Sequence, residues 1–160
     1  MKKGFTLAET LITLAIIGVV AALTLPILSI SSKQKTFDAR HKVCTSDLEN
    51  AFTTMIVTEG VSDLHETAAF SENKIIENLK KYIKISTDAT NTKTCILKNG
   101  ATVKFIEADS AKDKDGNAVE DVVIALEIDA NGTEEPNTED KDVFYHALLS
   151  TGLLEDIKKP

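Results

Sequence analysis

Cysteine is scarce. The 160 residues hold two, Cys44 and Cys95, with no CxxC spacing, which excludes a zinc cluster and a thioredoxin-type motif. Two distant thiols serve either as small buried hydrophobes or, in a domain outside the cytoplasm, as a disulfide. Charge is missing elsewhere: nothing ionisable lies between Thr10 and Ser32, a run longer than the roughly 20 helical residues that cross a bilayer core. Positive charge is short in the remainder. Lys2, Lys3 and Glu9 are the only charges before Lys33, so residues 33–160 hold 16 basic and 24 acidic groups, a balance of −8. Such acidity lacks the electrostatic footprint of a duplex nucleic-acid binder. His65 and His146 are isolated, with no serine or cysteine nucleophile visibly paired to them, so there is no catalytic signature and an enzyme is not expected. A hydrophobic content of 42% excludes wholesale disorder and leaves room for one ordinary domain.

What is present starts with MKKGFTLAETLITLAIIGVVAALTLP. Glu9 stands at the mouth of the apolar run, where burying a carboxylate is expensive unless it is paired. An ordinary secretory signal would put Lys2 and Lys3 in the n-region, Leu11–Val20 in the h-region and a cleavage site at Val20-Ala21-Ala22. An uncleaved anchor would keep Lys2 and Lys3 cytoplasmic and place the rest outside. A bland reading of Glu9 itself is a capping box, in which Thr6 and Glu9 satisfy backbone donors at a helix start.

Lys3-Gly4-Phe5-Thr6-Leu7-Ala8-Glu9 before a long apolar helix closely resembles the class III signal of type IV pilins and type II secretion pseudopilins. The resemblance implies cleavage after Gly4 by a membrane prepilin peptidase, N-methylation of Phe5, and a structural role. It also implies a single-pass inner-membrane precursor with a cytoplasmic N-terminus, which then enters a filament. Ala8-Glu9-Thr10 departs mildly from the commoner Ile-Glu-Leu or Leu-Glu-Leu but leaves the glutamate in register. Pro26 matches the family's proline within this helix. Cutting at Gly4 would create an α-amino group on Phe5, about 6 Å along the helix from Glu9. Staggered neighbours could then pair one subunit's Glu9 with the next subunit's Phe5 amine, which fixes register where water is scarce.

Beyond Pro26, Phe37, His41, Cys44, Leu48, Ala51 and Met55 form one helical stripe, widened by Phe52 and Ile56, and Gly60 is a natural stop. One helix is predicted from Phe5 to about Glu59, kinked or locally melted at Pro26. His41 is predicted at the rim of a helix–sheet interface. A second helix is predicted from Ser71-Glu72, burying Ile75, Ile76, Leu79, Tyr82 and Ile83. Asn99-Gly100 signals a two-residue hairpin, Asp109–Asp121 an exposed turn, and VVIALEID a strand. Val143–Leu154 closes the fold as a strand or short helix. The sum is an α+β fold, an antiparallel sheet of three or four strands against the long helix, the pilin-like lollipop that the resemblance implies. Its divisions are leader 1–4, transmembrane and assembly helix 5–28, amphipathic continuation 29–59 and globular head 60–160.

The segment EIDANGTEEPNTEDKDVF resembles the D-x-N-G…PN…G-x-D-x-F loop of pseudopilin-like proteins through Asp129, Asn131, Gly132, Pro136, Asn137, Asp142 and Phe144, with Glu139-Asp140 where a glycine usually falls. Some pseudopilins bind Ca²⁺ in a loop of this region, which makes Asp129, Asn131 and Asp142 expected ligands; the alternative is a turn holding its own backbone. The expectation is therefore a pseudopilus subunit of a type II secretion-like system, assembling with itself, other pseudopilins and inner-membrane machinery. A type IV pilus subunit and a non-assembling calcium-binding domain compete with it.

Overall fold

The computed structural model describes the chain apart from residues 1–3, 5, 73, 89–92, 108–110, 133 and 136 and the side chains of residues 25–31, 87 and 88. The expectations at Phe5 and Pro136 thus lie outside the described residues, as does the side chain of Pro26. Helix α1 runs Leu7–Glu59 and stays helical through Pro26, so the expected melting is absent: a proline deletes one ladder hydrogen bond and the rest carry the helix across it. Gly60 ends it at φ 68°, with the Gly60 and Val61 N–H groups both donating to the Ile56 carbonyl, a left-handed stop that suits glycine.

The chain falls into two compact units, Met1–Thr36 and Phe37–Pro160, so the division comes inside α1 rather than after it. In the first unit the apolar residues are bare, from Val20 at 54% exposed to Leu7 at 78%. Leu7–Thr24, with mean hydropathy 2.1, is long and apolar enough to cross a membrane.

In the second unit the stripe read from sequence faces a core. Cys44, Leu48, Phe52 and Met55 are fully buried, Ala51 nearly so; burying each large side chain contributes roughly 1.5–3 kcal/mol. The predicted second helix is the short α3 (Ile75–Leu79), preceded by one further turn of helix, α2 (Ala68–Ser71), which ends where the prediction began. Ile76 and Leu79 are buried in the same core, with Ile75, Tyr82 and Ile83 packed beside them. Strands β1 (Ile85–Asp88), β2 (Thr94–Leu97), β3 (Thr102–Ile106), β6 (Val122–Asp129), β7 (Val143–Leu149) and β8 (Leu154–Asp156) make one antiparallel sheet in the order β1-β2-β3-β6-β7-β8. β4 (Ala111–Lys112) and β5 (Ala118–Val119) form a separate ribbon. Six strands replace the three or four expected. β1 is short and polar, and the Val143–Leu154 segment turns into a hairpin that sequence apolarity alone does not reveal.

Alternation splits the sheet's two faces. Val103, Phe105, Ile124, Leu126, Ile128 and Leu148 join the α1 core, while Ala125, Val143, Tyr145 and Ala147 pack with Ala111 of the ribbon and Ile157 on the other face. The Asn99-Gly100 turn is a three-residue loop rather than a two-residue one. Leu97 N–H donates to the Ala101 carbonyl at 2.9 Å and only Gly100, at φ 87°, is left-handed, the geometry of a turn closed by a bulge.

Candidate processing and assembly site

The N-terminal site is built on the first turn of α1. Thr6 donates to Glu9 Oε2 twice, from its backbone N–H at 2.8 Å and its hydroxyl at 2.7 Å. Glu9 N–H returns a bond to Thr6 Oγ1 at 3.3 Å. This reciprocal pair is a capping box, the bland reading of the glutamate made real, and it fixes the carboxylate at the helix entrance with no charged partner among the described residues. Gly4 lies outside the helix and is exposed, so a peptidase could reach its carbonyl without unwinding α1. The geometry therefore separates a glycine in open chain from a glutamate already ordered two residues into the helix.

A family model described as the prokaryotic N-terminal methylation motif matches residues 1–25. The chain is a prepilin-type cleavage and methylation domain protein. No curated protein and no solved structure matches it, and the family match stops within α1. The pilin-like fold of this prepilin therefore rests on its own architecture: an N-terminal apolar helix continuing into a helix against an antiparallel sheet.

The loop joining β6 to β7 brings together all three residues expected to hold calcium. Asp142 is fully buried. It accepts from Asn131 Nδ2 at 2.9 Å and Thr138 N–H at 2.6 Å. Asp129 Oδ1 accepts from Asn131 N–H at 3.1 Å, so the self-bonded turn and the ligand cluster are the same object. Asn131 Oδ1 is buried with no donor among the described residues. Burial, with the Asp142 charge added, pushes the Asp129 carboxyl up to about 6. Among the described residues no three His, Cys, Asp or Glu side chains converge on a metal position; this loop offers two carboxylates and an amide instead. Asp140, where a glycine was expected, adopts φ 58°, so the backbone keeps the glycine conformation and an aspartate bears the strain. Its carboxylate meets Lys114 Nζ at 3.1 Å.

A polar cluster that the sequence did not announce joins α1 to the β7–β8 end of the sheet. His41 is half-buried and stacks on Phe144 at 3.8 Å between centroids, which places it at the expected rim. His146 is not isolated: its Nε2 lies 2.7 Å from His41 Nε2, and its Nδ1 lies 2.9 Å from Asp156 Oδ1 in a contact not aligned as a hydrogen bond. The carboxylate beside Nδ1 favours the tautomer protonated there, leaving His146 Nε2 to accept from His41. Burial holds both imidazoles below their usual value, His146 down to about 4 with the neighbouring His41 charge contributing. Only His41's place on the stripe could have hinted at this; its partners are 105 and 115 residues away, and the β7–β8 register brings them in. Cys44 and Cys95 are both buried thiols.

Proposed function

We propose that this prepilin is the structural subunit of a type II secretion-like pseudopilus, cut after Gly4, N-methylated at Phe5 and polymerised through α1 to drive protein export. The observation that carries the proposal is the methylation-motif match at residues 1–25 lying over an exposed Gly4 and a helix whose first turn holds Glu9. The apolar first unit supplies the surface that neighbouring helices would bury, and the head would project from the filament. The β6–β7 loop resembles that of pseudopilins, which favours secretion over a surface pilus for adhesion, motility or DNA uptake. Intact-mass and N-terminal analysis of protein from membranes of the native host tests this: a chain beginning at N-methylated Phe5 is expected. A chain beginning at Leu23, or retaining Met1, would overturn it.

The same loop fits a Ca²⁺ ion in its chemistry. Asp129, Asn131 and Asp142 carry hard oxygens, Asn131 Oδ1 has no donor among the described residues, and the Asp142 charge helps to raise the Asp129 carboxyl. Those three residues would hold the ion, and it would supply the positive charge that lets both carboxylates ionise. The Asp129 carboxyl is raised on folding, so its ionisation destabilises the fold as pH rises through about 6. Calcium should therefore raise the melting midpoint more at pH 7.5 than at pH 5; an equal or absent shift in a titration against EGTA would remove calcium from the account.

A further inference from the structure

We propose that Cys44 and Cys95 become a disulfide as the head folds outside the cytoplasm, an inference that rests on the exported reading above. They are the only cysteines in the chain. One sits on α1 and the other on β2, both at 0% exposure and both in the same apolar core. They are near enough that charge on Cys95 raises the Cys44 thiol further, to about 12, on top of the larger effect of burial.

Where the link falls gives it a purpose. The hydrogen bonds described between α1 and the sheet go to one end of it: His41 to His146 on β7, and Glu49 Oε1 accepting from Leu154 N–H on β8 at 3.0 Å. At the other end of the strand order, β1-β2-β3, apolar packing does the holding. A Cys44–Cys95 bond would fasten that second end. It would also close a loop of about 50 residues containing α2, α3 and β1, which removes much freedom from the unfolded chain.

The timing follows from the chemistry. The attacking species in disulfide formation is the thiolate, and a fully buried thiol titrating near 12 supplies almost none. The bond therefore forms in the folding chain. One cysteine thiolate attacks the disulfide of an extracytoplasmic dithiol oxidase, releasing one oxidase thiolate. The second cysteine, having lost its proton to solvent, attacks the mixed disulfide and releases the other. The two cysteines are oxidised and the oxidase disulfide is reduced to its dithiol.

Two measurements on the full chain decide it. Protein from native-host membranes is denatured in N-ethylmaleimide and weighed with and without prior reduction. The expected result is no adduct before reduction and two after it. A chain processed to Phe5 that takes two adducts without reduction would overturn the disulfide and leave the export reading standing. Independently of export, the detergent-solubilised full chain is refolded in a glutathione redox buffer. It should acquire the bond on refolding, resist the same buffer when already folded with its thiols reduced, and melt roughly 10 °C higher oxidised than reduced. Failure to bridge on refolding sinks the proposal whatever the localisation.

Discussion

Glu9 does two jobs that a single substitution would confuse. Its carboxylate caps the helix through Thr6, and in the filament it is proposed to meet a neighbour's Phe5 amine. Glu9→Gln keeps an oxygen acceptor for Thr6 but has no charge, so it should be processed normally and be absent from the sheared filament fraction. Glu9→Ala should lose the cap as well, read as fraying of the first helical turn. Normal filament yield from the glutamine variant would leave capping as the whole role. Gly132 makes a purely structural demand. At φ 78°, an added Cβ would sit 2.6 Å from the Gly100 carbonyl oxygen, so the β6–β7 loop and the β2–β3 turn are in backbone contact. Gly132→Ala should cost about 2–3 kcal/mol in urea unfolding. The glycine was legible in the sequence as part of a motif; its collision partner, 32 residues away, was not.

Among the elements, α1 was the most legible, because a stripe of fours and threes ending in glycine leaves little choice of structure or of face. Strands β2, β3 and β6 were nearly as plain, whereas the β4–β5 ribbon falls in a segment read as an exposed turn. What the sequence hid depended on pairing: β1 and β8 are edge strands with little apolar content, and α2 lies before the Ile75–Ile83 pattern that marked the second helix. The histidine pair belongs with these, since it needs the azimuth of α1 and the β7–β8 register at once. Its consequence is a pH dependence. Both imidazoles titrate lower folded than unfolded, so below the free value of about 6.5 the unfolded chain binds protons that the folded one refuses. The histidine pair's contribution to stability should be full at neutral pH and be lost as pH drops from about 6.5 toward 4, against the opposite slope of the raised Asp129 carboxyl. Asp156 and Asp38 oppose the shift of His41, and Lys114 reinforces it. Melting curves at pH 7.5, 6 and 5 should show the decline, and His146→Phe should flatten it; a variant with the same slope would assign the dependence to other groups.

At the scale of the molecule, an acidic stretch, residues 33–160, follows a helical stretch with no charge from Thr10 to Ser32. The balance of −8 across residues 33–160 means that heads brought side by side repel. Apolar burial of the Leu7–Thr24 surface must exceed that repulsion for a filament to persist. Screening falls off over about 8 Å at physiological salt, so polymerisation should strengthen between 50 and 300 mM NaCl, read as the pelleted fraction of processed protein. A filament that dissociates as salt rises would mean that attraction between charges, not burial, dominates the assembly.

The β7–β8 hairpin reaches back across the chain. Gly152, at φ 86°, rests against the α1 backbone so closely that an added Cβ would lie 3.1 Å from Thr53 N. Leu64 N–H donates to the Ser150 carbonyl at 2.9 Å, and Glu49 accepts from Leu154 N–H at 3.0 Å. These partners are separated by most of the head, so they meet only once the chain has been made through Leu154. A ribosome releases a chain from its N-terminus onward, which means the apolar stretch of α1 is available long before the hairpin that clasps Glu49 and Thr53. A chain ending before Ser150 would keep Gly4 and that apolar stretch, yet lose the clasp. The hairpin is therefore a latch set late, and a filament that admits only folded heads would admit only chains translated through Leu154.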